Sequence, residues 1–351
     1  MQDLISMRSI SWQDAGGILR DSAKMEQLLK NPKKCAHILE NRVIANMFFE
    51  ASTRTSLSFQ AAAMRLGAKT LVFSSKSSSA AKGESFSDTI RMADGYSDAI
   101  VLRHPCEGAA QLASEIARHP VINAGDGANQ HPTQTLIDLY TIRKLKGKIA
   151  GVKVALFGDL LHARTMHSLL FGLLMFKAEV TAISPKELSM PSALIREAER
   201  KFCVKIPCMA RPELKNTDIL YVCRVQKERF SDPKKAEVAA RAFRVDAQLL
   251  KSAKKDMAIL HPLPKVAEIT AEVDLDPRAK YFEQAKNGVP VRMAILSRCI
   301  LGKGKPIRQK SAPRSFACKN PSCILQAESA NQRGVIGADN IVRCRYCEKP
   351  A

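Results

Sequence analysis

Short apolar runs alternate along the chain with segments in which apolar residues recur at helical spacing. The runs predict two sets of four strands: Asn46–Phe49, Thr70–Phe73, Ala99–Leu102 and Val121–Ala124, then Lys153–Phe157, Glu179–Ile183, Asp218–Val222 and Ala258–Leu260. Helical patterns between them include Ser56–Leu66, Gln134–Lys144 and Arg164–Phe176. Because strands that alternate with helices are typical of parallel sheets, the sequence predicts an α/β fold with two doubly wound parallel-sheet domains.

The breaks in this pattern predict the domain limits. An interruption near Gly147–Gly151 separates a first domain, residues 1–147, from a second, residues 148–290. The helical segment 291–301 has the apolar periodicity to pack back on the first domain. Residues 302–315 are rich in Gly, Pro and basic side chains and predict a flexible linker, which leaves residues 316–351 as a small cysteine-bearing module.

The net charge of the 351-residue chain is +21, which favours anionic partners of one of two kinds. One is a nucleic acid or an anionic surface, and the other is a set of small anionic substrates. Aromatic residues make up only 5% of the chain, so stacking platforms for nucleic acid are scarce and nucleic acid is the less expected partner.

Several sequence features bear on location. No run reaches the roughly 18 apolar residues that a membrane span needs, and the N-terminus lacks a signal-peptide pattern. We therefore expect a cytoplasmic protein without a membrane partner. In that reducing compartment the ten cysteines are expected to be thiols or metal ligands.

Polar clusters follow most of the predicted strands, at the end where open α/β sheets bind ligands. The first is Ser52-Thr53-Arg54-Thr55, which opens a helix. A helix N-terminus and a guanidinium both bind phosphate, although a plain helix cap would use the same hydroxyl residues. The segment Asn123–Gln134 is the densest cluster, and His131 in it is placed to donate to a carbonyl oxygen.

Together the clusters predict an enzyme that holds two anions. Their cations are Arg54, Lys82, Arg103, Arg164 and Arg224. Taken singly, each could be a surface residue, and Lys82 lies in a serine-rich run that could be a disordered loop. No nucleophile–base pair is recognisable, so the sequence favours direct transfer between two bound substrates, driven by positioning and electrostatics.

The joint occurrence of six motifs resembles the catalytic chain of the aspartate carbamoyltransferase family over residues 1–301. The motifs are Ser52–Thr55, Lys82–Ser85, Arg103–Pro105, His131–Gln134, Arg224–Arg229 and His261–Pro264. The resemblance implies the carbamoyltransferase fold, transfer of a carbamoyl group from carbamoyl phosphate to L-aspartate in de novo pyrimidine biosynthesis, and a homotrimer with shared active sites. It implies no cofactor for the chemistry. A carbamoyltransferase for another amino acid, or a nucleic-acid-binding protein that uses the basic tail, remains as an alternative.

The resemblance also implies the role of each site residue. Carbamoyl phosphate would contact Ser52, Thr53, Arg54, Thr55, Ser78, Lys82, Arg103, His131, Gln134, Leu263 and Pro264. Aspartate would contact Lys82, Arg164, Arg224 and Gln226. The catalytic set would be Arg54, Thr55, Lys82, Arg103 and His131. Ser78 and Lys82 would enter the site of a neighbouring subunit, and Glu50 would pair with Arg164 and Arg229 on domain closure.

Four C-terminal cysteines are spaced as a zinc site, Cys318-x4-Cys323-x20-Cys344-x2-Cys347. Two close pairs separated by a longer loop allow tetrahedral ligation, and disulfides are the alternative that a reducing compartment disfavours. A module of this size builds little core, so bound zinc would supply much of its folding energy. The segments around these cysteines resemble the zinc domain of the regulatory chain of the same enzyme family, which implies structural zinc and a possible assembly role beyond the trimer.

Overall fold

The computed structural model describes residues 3–74, 83–225, 243–302, 311–330, 332–337 and 339–350. The chain forms two compact units. Unit 1 combines residues 1–136 with 288–351, and unit 2 comprises residues 137–287. The limit between the units falls inside a helix, and the domain boundary after residue 147 stays a prediction.

Unit 1 is built on a four-stranded parallel sheet. Its strands are β1 (Val43–Phe48), β2 (Lys69–Ser74), β3 (Ala99–His104) and β4 (Val121–Asp126), in the order β2-β1-β3-β4. β4 is buried along its whole length, and β3 is buried except at Arg103. Burial of this kind is expected where helices cover both faces of a parallel sheet.

The helices of the first 146 residues connect and cover these strands. They are α1 (Trp12–Leu28), α2 (Pro32–Cys35), α3 (Thr53–Arg65), α4 (Phe86–Tyr96), α5 (Ala109–Ile116) and α6 (Pro132–Lys146). Serine hydroxyls cap two of them: the Ser11 and Ser85 hydroxyls accept the amides three residues further on, both at 3.0 Å. Each cap satisfies a first-turn donor that has no partner inside its helix.

Unit 2 contains a five-stranded parallel sheet. Its strands are β5 (Lys153–Gly158), β6 (Glu179–Ile183), β7 (Cys208–Met209), β8 (Ile219–Cys223) and β9 (Ala258–Leu260), in the order β7-β6-β5-β8-β9. Its helices are α7 (Arg164–Met175), α8 (Ser192–Phe202), α9 (Ala247–Leu250) and α10 (Tyr281–Lys286). A core formed by β5, β8, β9 and the segments around them holds the sheet.

The chain then returns to unit 1 as α11 (Gly288–Leu301), which packs against α1 and α3. Most of the predicted linker, residues 303–310, lies outside the described residues. Its last five residues form strand β10 (Ser311–Ser315), which pairs with β11 (Arg333–Ile336). Strand pairing gives this stretch a regular conformation that its Gly- and Pro-rich composition did not indicate.

The C-terminal residues 311–350, called the cysteine module below, form a small antiparallel sheet in the order β10-β11-β12, with β12 at Val342–Cys344. Six of its side chains belong to one buried cluster with β1, β3, α4 and α5: Phe316, Ile324, Tyr346, Cys323, Cys344 and Cys347. The module is too small for a full core of its own and shares the core of unit 1.

The predicted α/β fold with two parallel sheets is confirmed. All eight predicted strands are present, and β6 and β9 have the limits that the sequence predicts. The sequence missed β7, because two residues are too short to show an alternating pattern. In the described parts of the chain, no helix combines the length and the apolar character that a membrane crossing requires.

Candidate active site

The first predicted anion site lies where β1 leads into α3. Ser52 is the N-cap residue of α3, and its side chain makes no cap hydrogen bond. Thr55 is buried in the first turn, whereas Thr53 and Arg54 are exposed. The first amides of a helix have no intrahelical acceptor and point along the positive end of its dipole. This turn can therefore hold a phosphate, with the Arg54 guanidinium beside it.

Arg103 occupies the end of β3, next to β1 and β4. The strand register sets it opposite Phe48, four residues before Ser52. Its guanidinium forms an ion pair with Glu50 at 3.4 Å and donates to the Ala124 carbonyl oxygen at 3.5 Å. The side chain is 12% exposed, and these two contacts fix the direction of the guanidinium.

His131 lies at the start of α6, after the loop that follows β4. The ring is buried, and its Nδ1 lies 3.4 Å from the Thr133 hydroxyl. The His131 carbonyl accepts the amides of Gln134 and Thr135, which fixes the backbone at the helix start. Gln134 is half-buried in the same turn. An imidazole held in this way is placed to donate to a carbonyl oxygen.

The loop before His131 is organised by Asp126, which sequence reasoning did not single out. The fully buried carboxylate accepts from the side chains of Asn123 and Asn129 and from the amides of Gly108 and Gln130, at 2.7–3.1 Å. Burial raises the pKa of Asp126 to about 7, against the lowering effect of these hydrogen bonds. The dense polar run Asn123–Gln134 was the only sequence signal of this role.

The second group of predicted residues lies at the strand ends of unit 2. Gly158 at the end of β5 is opposite Cys223 at the end of β8, and Arg224 follows directly. Arg164 begins α7, six residues after β5. Both arginines are half-buried. Since neighbouring parallel strands end at the same edge, this edge of unit 2 presents two cations to an anionic ligand.

His261-Pro262-Leu263-Pro264 follows β9, the next strand of that sheet. The His261 Nδ1 accepts the Leu263 amide at 2.8 Å, so its Nε2 carries the hydrogen and donates to Glu268 at 2.8 Å. Burial opposes ionisation of Glu268, but the hydrogen bond from His261 and backbone amides hold the pKa of this carboxyl below its usual value. The pair stabilises the turn in which Leu263 has a φ of 54°.

A buried network behind this loop was also missed from the sequence. The His261 amide donates to Gln284, Gln284 donates to Asp138, and the Tyr221 hydroxyl donates to the same carboxylate at 2.8 Å. Its members are 83 and 146 residues from Asp138 along the chain, so no local pattern could reveal it.

Four of the predicted site residues, Ser78, Lys82, Gln226 and Arg229, lie outside the described residues. Their roles stay predictions. The ion pair of Glu50 with Arg103 is a contact that the sequence did not predict, and the pairing of Glu50 with Arg164 or Arg229 on closure is still untested.

The cysteine module brings its four predicted thiols together. The Cys318 and Cys347 sulfurs are 3.6 Å apart, those of Cys323 and Cys344 are 3.9 Å apart, and all four lie within 4.8 Å of one another. Zinc with Zn–S bonds near 2.3 Å would set tetrahedral sulfurs about 3.8 Å apart. The cluster therefore has the donor set and the size to hold a metal ion.

Two family models match the chain in succession. The aspartate/ornithine carbamoyltransferase carbamoyl-P binding domain matches residues 2–144, and the Asp/Orn binding domain of the same family matches residues 150–299. The chain therefore belongs to the aspartate/ornithine carbamoyltransferase family. Residues 300–351, which include the cysteine module, fall outside both matches.

Individual relatives indicate which branch of the family the chain resembles. The aspartate carbamoyltransferase catalytic subunit of Methanocaldococcus jannaschii is 48% identical over 303 residues, which is 86% of this chain and 98% of that protein. A crystal structure of the M. jannaschii catalytic subunit has a TM-score of 0.80 at 46% identity, covering 86% of this chain and 99% of that one. The Trypanosoma cruzi aspartate transcarbamoylase, crystallised with N-(phosphonacetyl)-L-aspartic acid, has a TM-score of 0.79 at 36% identity, covering 84% and 95%. Within this family the chain is thus similar to aspartate carbamoyltransferase catalytic subunits over about 300 residues.

Proposed function

We propose that the chain transfers the carbamoyl group of carbamoyl phosphate to L-aspartate, releasing N-carbamoyl-L-aspartate and phosphate, a reaction of de novo pyrimidine biosynthesis. One observation carries this proposal: the predicted motifs follow neighbouring parallel strands in each unit, so each sheet edge gathers cations for one anionic substrate.

Unit 1 would bind carbamoyl phosphate. The phosphate would lie against the first turn of α3, with Ser52, Thr53, Thr55 and Arg54 as donors. Arg103, His131 and Thr55 would donate to the carbonyl oxygen and stabilise the negative charge that grows there. Gln134 would contact the carbamoyl amide. Arg103 is already held at a strand end and the His131 backbone at a helix start, so these two donors need little reorganisation during the reaction.

Unit 2 would bind aspartate through Arg164, Arg224 and Gln226. The aspartate amine attacks the carbonyl carbon and a C–N bond forms. The C–O bond to phosphate then breaks, phosphate leaves with the bonding electrons, and the nitrogen gives up one proton to the leaving phosphate. The backbone of Leu263 and Pro264 would face the carbamoyl amide. No cofactor is needed for this step, since positioning and charge stabilisation are the only contributions required of the protein.

A homotrimer with shared active sites is part of the proposal. Leu57 and Met64 are seven residues apart on one face of α3 and are 58% and 68% exposed, and Leu71 and Val72 on the edge strand β2 are also exposed. These four apolar side chains precede residues 75–82 in sequence, the segment that carries Ser78 and Lys82. A second copy packed there would bury them and would bring its own Ser78 and Lys82 to the site.

Mixing of two inactive variants tests the sharing. Lys82→Ala and Arg54→Ala proteins, combined under conditions that exchange subunits, should regain part of the activity because some sites then contain both wild-type residues. Leu57→Glu, which adds a charge to the apolar face, should lower the mass in solution. Absence of recovery after exchange is verified by mass spectrometry would contradict shared sites.

We propose that the four cysteines hold a structural zinc ion and that the protein is cytoplasmic, where such thiols stay reduced. Assembly beyond the trimer would use the outer face of the module, where Ile336, Ile341 and Val342 are exposed. Zinc content measured on the purified protein tests the first statement directly: one equivalent per chain is expected.

The activity is tested by an assay for carbamoylaspartate with purified protein, carbamoyl phosphate and L-aspartate. Ornithine in place of aspartate is the matched control, and N-(phosphonacetyl)-L-aspartic acid should inhibit because it carries both a phosphonate and an aspartate group. Carbamoylation of a different amine with none of aspartate would contradict the proposal.

A further inference from the structure

We propose that Glu107 is a positioning residue through which the cysteine module fixes the loop that carries His131. The inference rests on the proposed role of His131 in polarising the carbamoyl group. It concerns a residue between β3 and α5 that no motif of the sequence marks.

The module is joined to this point by backbone hydrogen bonds. The Glu107 amide donates to the Ser322 carbonyl at 2.8 Å, and the Ile324 amide donates to the Glu107 carbonyl at 2.9 Å. Ser322 and Ile324 flank Cys323, one of the four clustered thiols. The segment around Glu107 thus pairs with the loop that presents a metal ligand.

The side chain of Glu107 is 2% exposed and is held by the module on both oxygens. Asn320 donates to it at 2.8 Å, and Lys349 forms an ion pair with it at 2.8 Å. Asn320 lies two residues after Cys318, and Lys349 lies two residues after Cys347. A buried carboxylate that loses its hydrogen-bond partners is destabilised. Displacement of Asn320 or Lys349 at the cysteine cluster would therefore also displace Glu107.

Glu107 also contacts the loop that carries His131. A Cβ on Gly127 would lie 2.5 Å from the Glu107 Cγ, so the glycine lets the loop rest against this side chain. The next residue, Gly108, has a φ of 83°, and a Cβ there would lie 2.5 Å from the Tyr346 backbone. The adjacent residues Glu107 and Gly108 are therefore packed against the loop at Gly127 and against the module at Tyr346.

Asp126 completes the connection to His131. The Gly108 amide donates to Asp126 at 2.7 Å, and the Gln130 amide donates to the other oxygen of that carboxylate at 3.1 Å. Gln130 directly precedes His131. Displacement of Glu107 and Gly108 would remove one support of Asp126 and would shift the start of α6.

A second route reaches the same residue. The Ser6 hydroxyl donates to Glu348 of the module at 3.0 Å, and the neighbouring Met7 amide donates to the Gln130 side chain at 3.3 Å. Two independent chains of contacts thus lead from the module to Gln130, which favours a role in loop geometry over attachment alone.

The test compares Glu107→Gln with Glu115→Gln in the full-length, zinc-loaded protein. Glu115 is the matched control, since it too accepts from one cation and one neutral donor of the module, Arg345 and Tyr346, but it lies on α5 with no described contact to the loop. The readouts are deuterium exchange of a peptide covering residues 125–131 and the separate kcat and KM values.

Glu107→Gln should speed exchange of the 125–131 peptide at least about tenfold and lower kcat by about tenfold, with the KM for aspartate nearly unchanged, since small misplacement of a catalytic group affects the transition state most. Partial zinc removal should speed exchange of the same peptide. Glu115→Gln should leave all of these near wild-type values.

Unchanged exchange in the Glu107→Gln loop overturns the inference, as does an equal effect of both substitutions. Faster exchange with unchanged kcat overturns it too, provided that His131→Ala is inactive. If His131→Ala turns over normally, the proposed role of His131 fails, and the exchange measurement still decides whether the module is coupled to the loop.

Discussion

The body of the enzyme and its cysteine module reach a fixed geometry in different ways. The body buries whole strands between helices, so apolar runs decide where its strand ends, and with them its site residues, are found. The module has short strands, and its buried side chains contact unit 1 as much as one another. Its four cysteine sulfurs lie within 4.8 Å of one another, and it shares a buried cluster with unit 1.

This difference shows which parts of the fold can be predicted from a sequence pattern. A large core averages over many residues, and single contacts matter little to its shape. A small module depends on a few contacts, and each is a point at which it can fail. Glu107 lies in the body and is held by Asn320 and Lys349 of the module, so it joins the two regions.

The largest effect is expected from removing one thiol of the cluster. Cys344→Ser should abolish stoichiometric zinc binding, and with it metal-binding free energy on the order of 10 kcal/mol that orders the module. Metal analysis and limited proteolysis after residue 302 measure the result. Cys203→Ser, at an exposed cysteine outside the cluster, is the control and should change neither. A Cys344→Ser protein with full zinc content would show that the cluster is not the metal site.

The next largest effect is expected at the phosphate end of the body. Arg54→Ala should lower kcat/KM by about a thousandfold, or about 4 kcal/mol, because a charged donor is removed from the phosphate proposed to bind at the start of α3. Arg65→Ala, in the last turn of the same helix, is the control and should act like wild type. Steady-state formation of carbamoylaspartate measures both. A loss below tenfold for Arg54→Ala would count against a phosphate at the start of α3.

Most of the body could be predicted from the sequence because its strands are continuous apolar runs and its site residues directly follow them. Arg103 directly follows the predicted strand Ala99–Leu102, and Arg224 lies two residues after the predicted strand Asp218–Val222. Strand limits were less certain: β1 begins at Val43, three residues before its predicted start, because the Val43 amide donates to Asp98 and its neighbours pair with β2.

The contacts that hold the site in place could not be predicted. Glu268 supports His261, and Glu107 is held by Asn320 and Lys349 from more than 200 residues away. The Glu107 pairs join distant segments, and the His261–Glu268 pair joins two residues seven apart. All of them are single polar contacts, and a sequence pattern has no period that reports them. The four cysteines were predictable only because metal ligation imposes a spacing of its own.

The smallest of these effects separates the pH response of the body from that of the module. Burial lowers the pKa of His104 to about 4, and its Nδ1 accepts the Cys106 amide while its ring packs between Phe49 and Phe86. In the unfolded chain this histidine takes up a proton near pH 6.5, whereas in the folded protein it stays neutral down to about pH 4. The stability that the neutral His104 contributes is therefore present above pH 6.5 and is lost as the pH falls toward 4.

Between pH 7 and pH 5 the free energy of unfolding should fall by about 2 kcal/mol because of His104 alone. His104→Asn keeps an acceptor for the Cys106 amide and removes this part of the slope, whereas loss of zinc at low pH persists in the variant, because thiolate ligands must still be deprotonated. Urea unfolding at both pH values measures the slopes, with His37→Asn at an exposed histidine as the control. If the unfolding free energy falls equally with pH in His104→Asn and in wild type, groups other than this buried imidazole cause the acid sensitivity of the body.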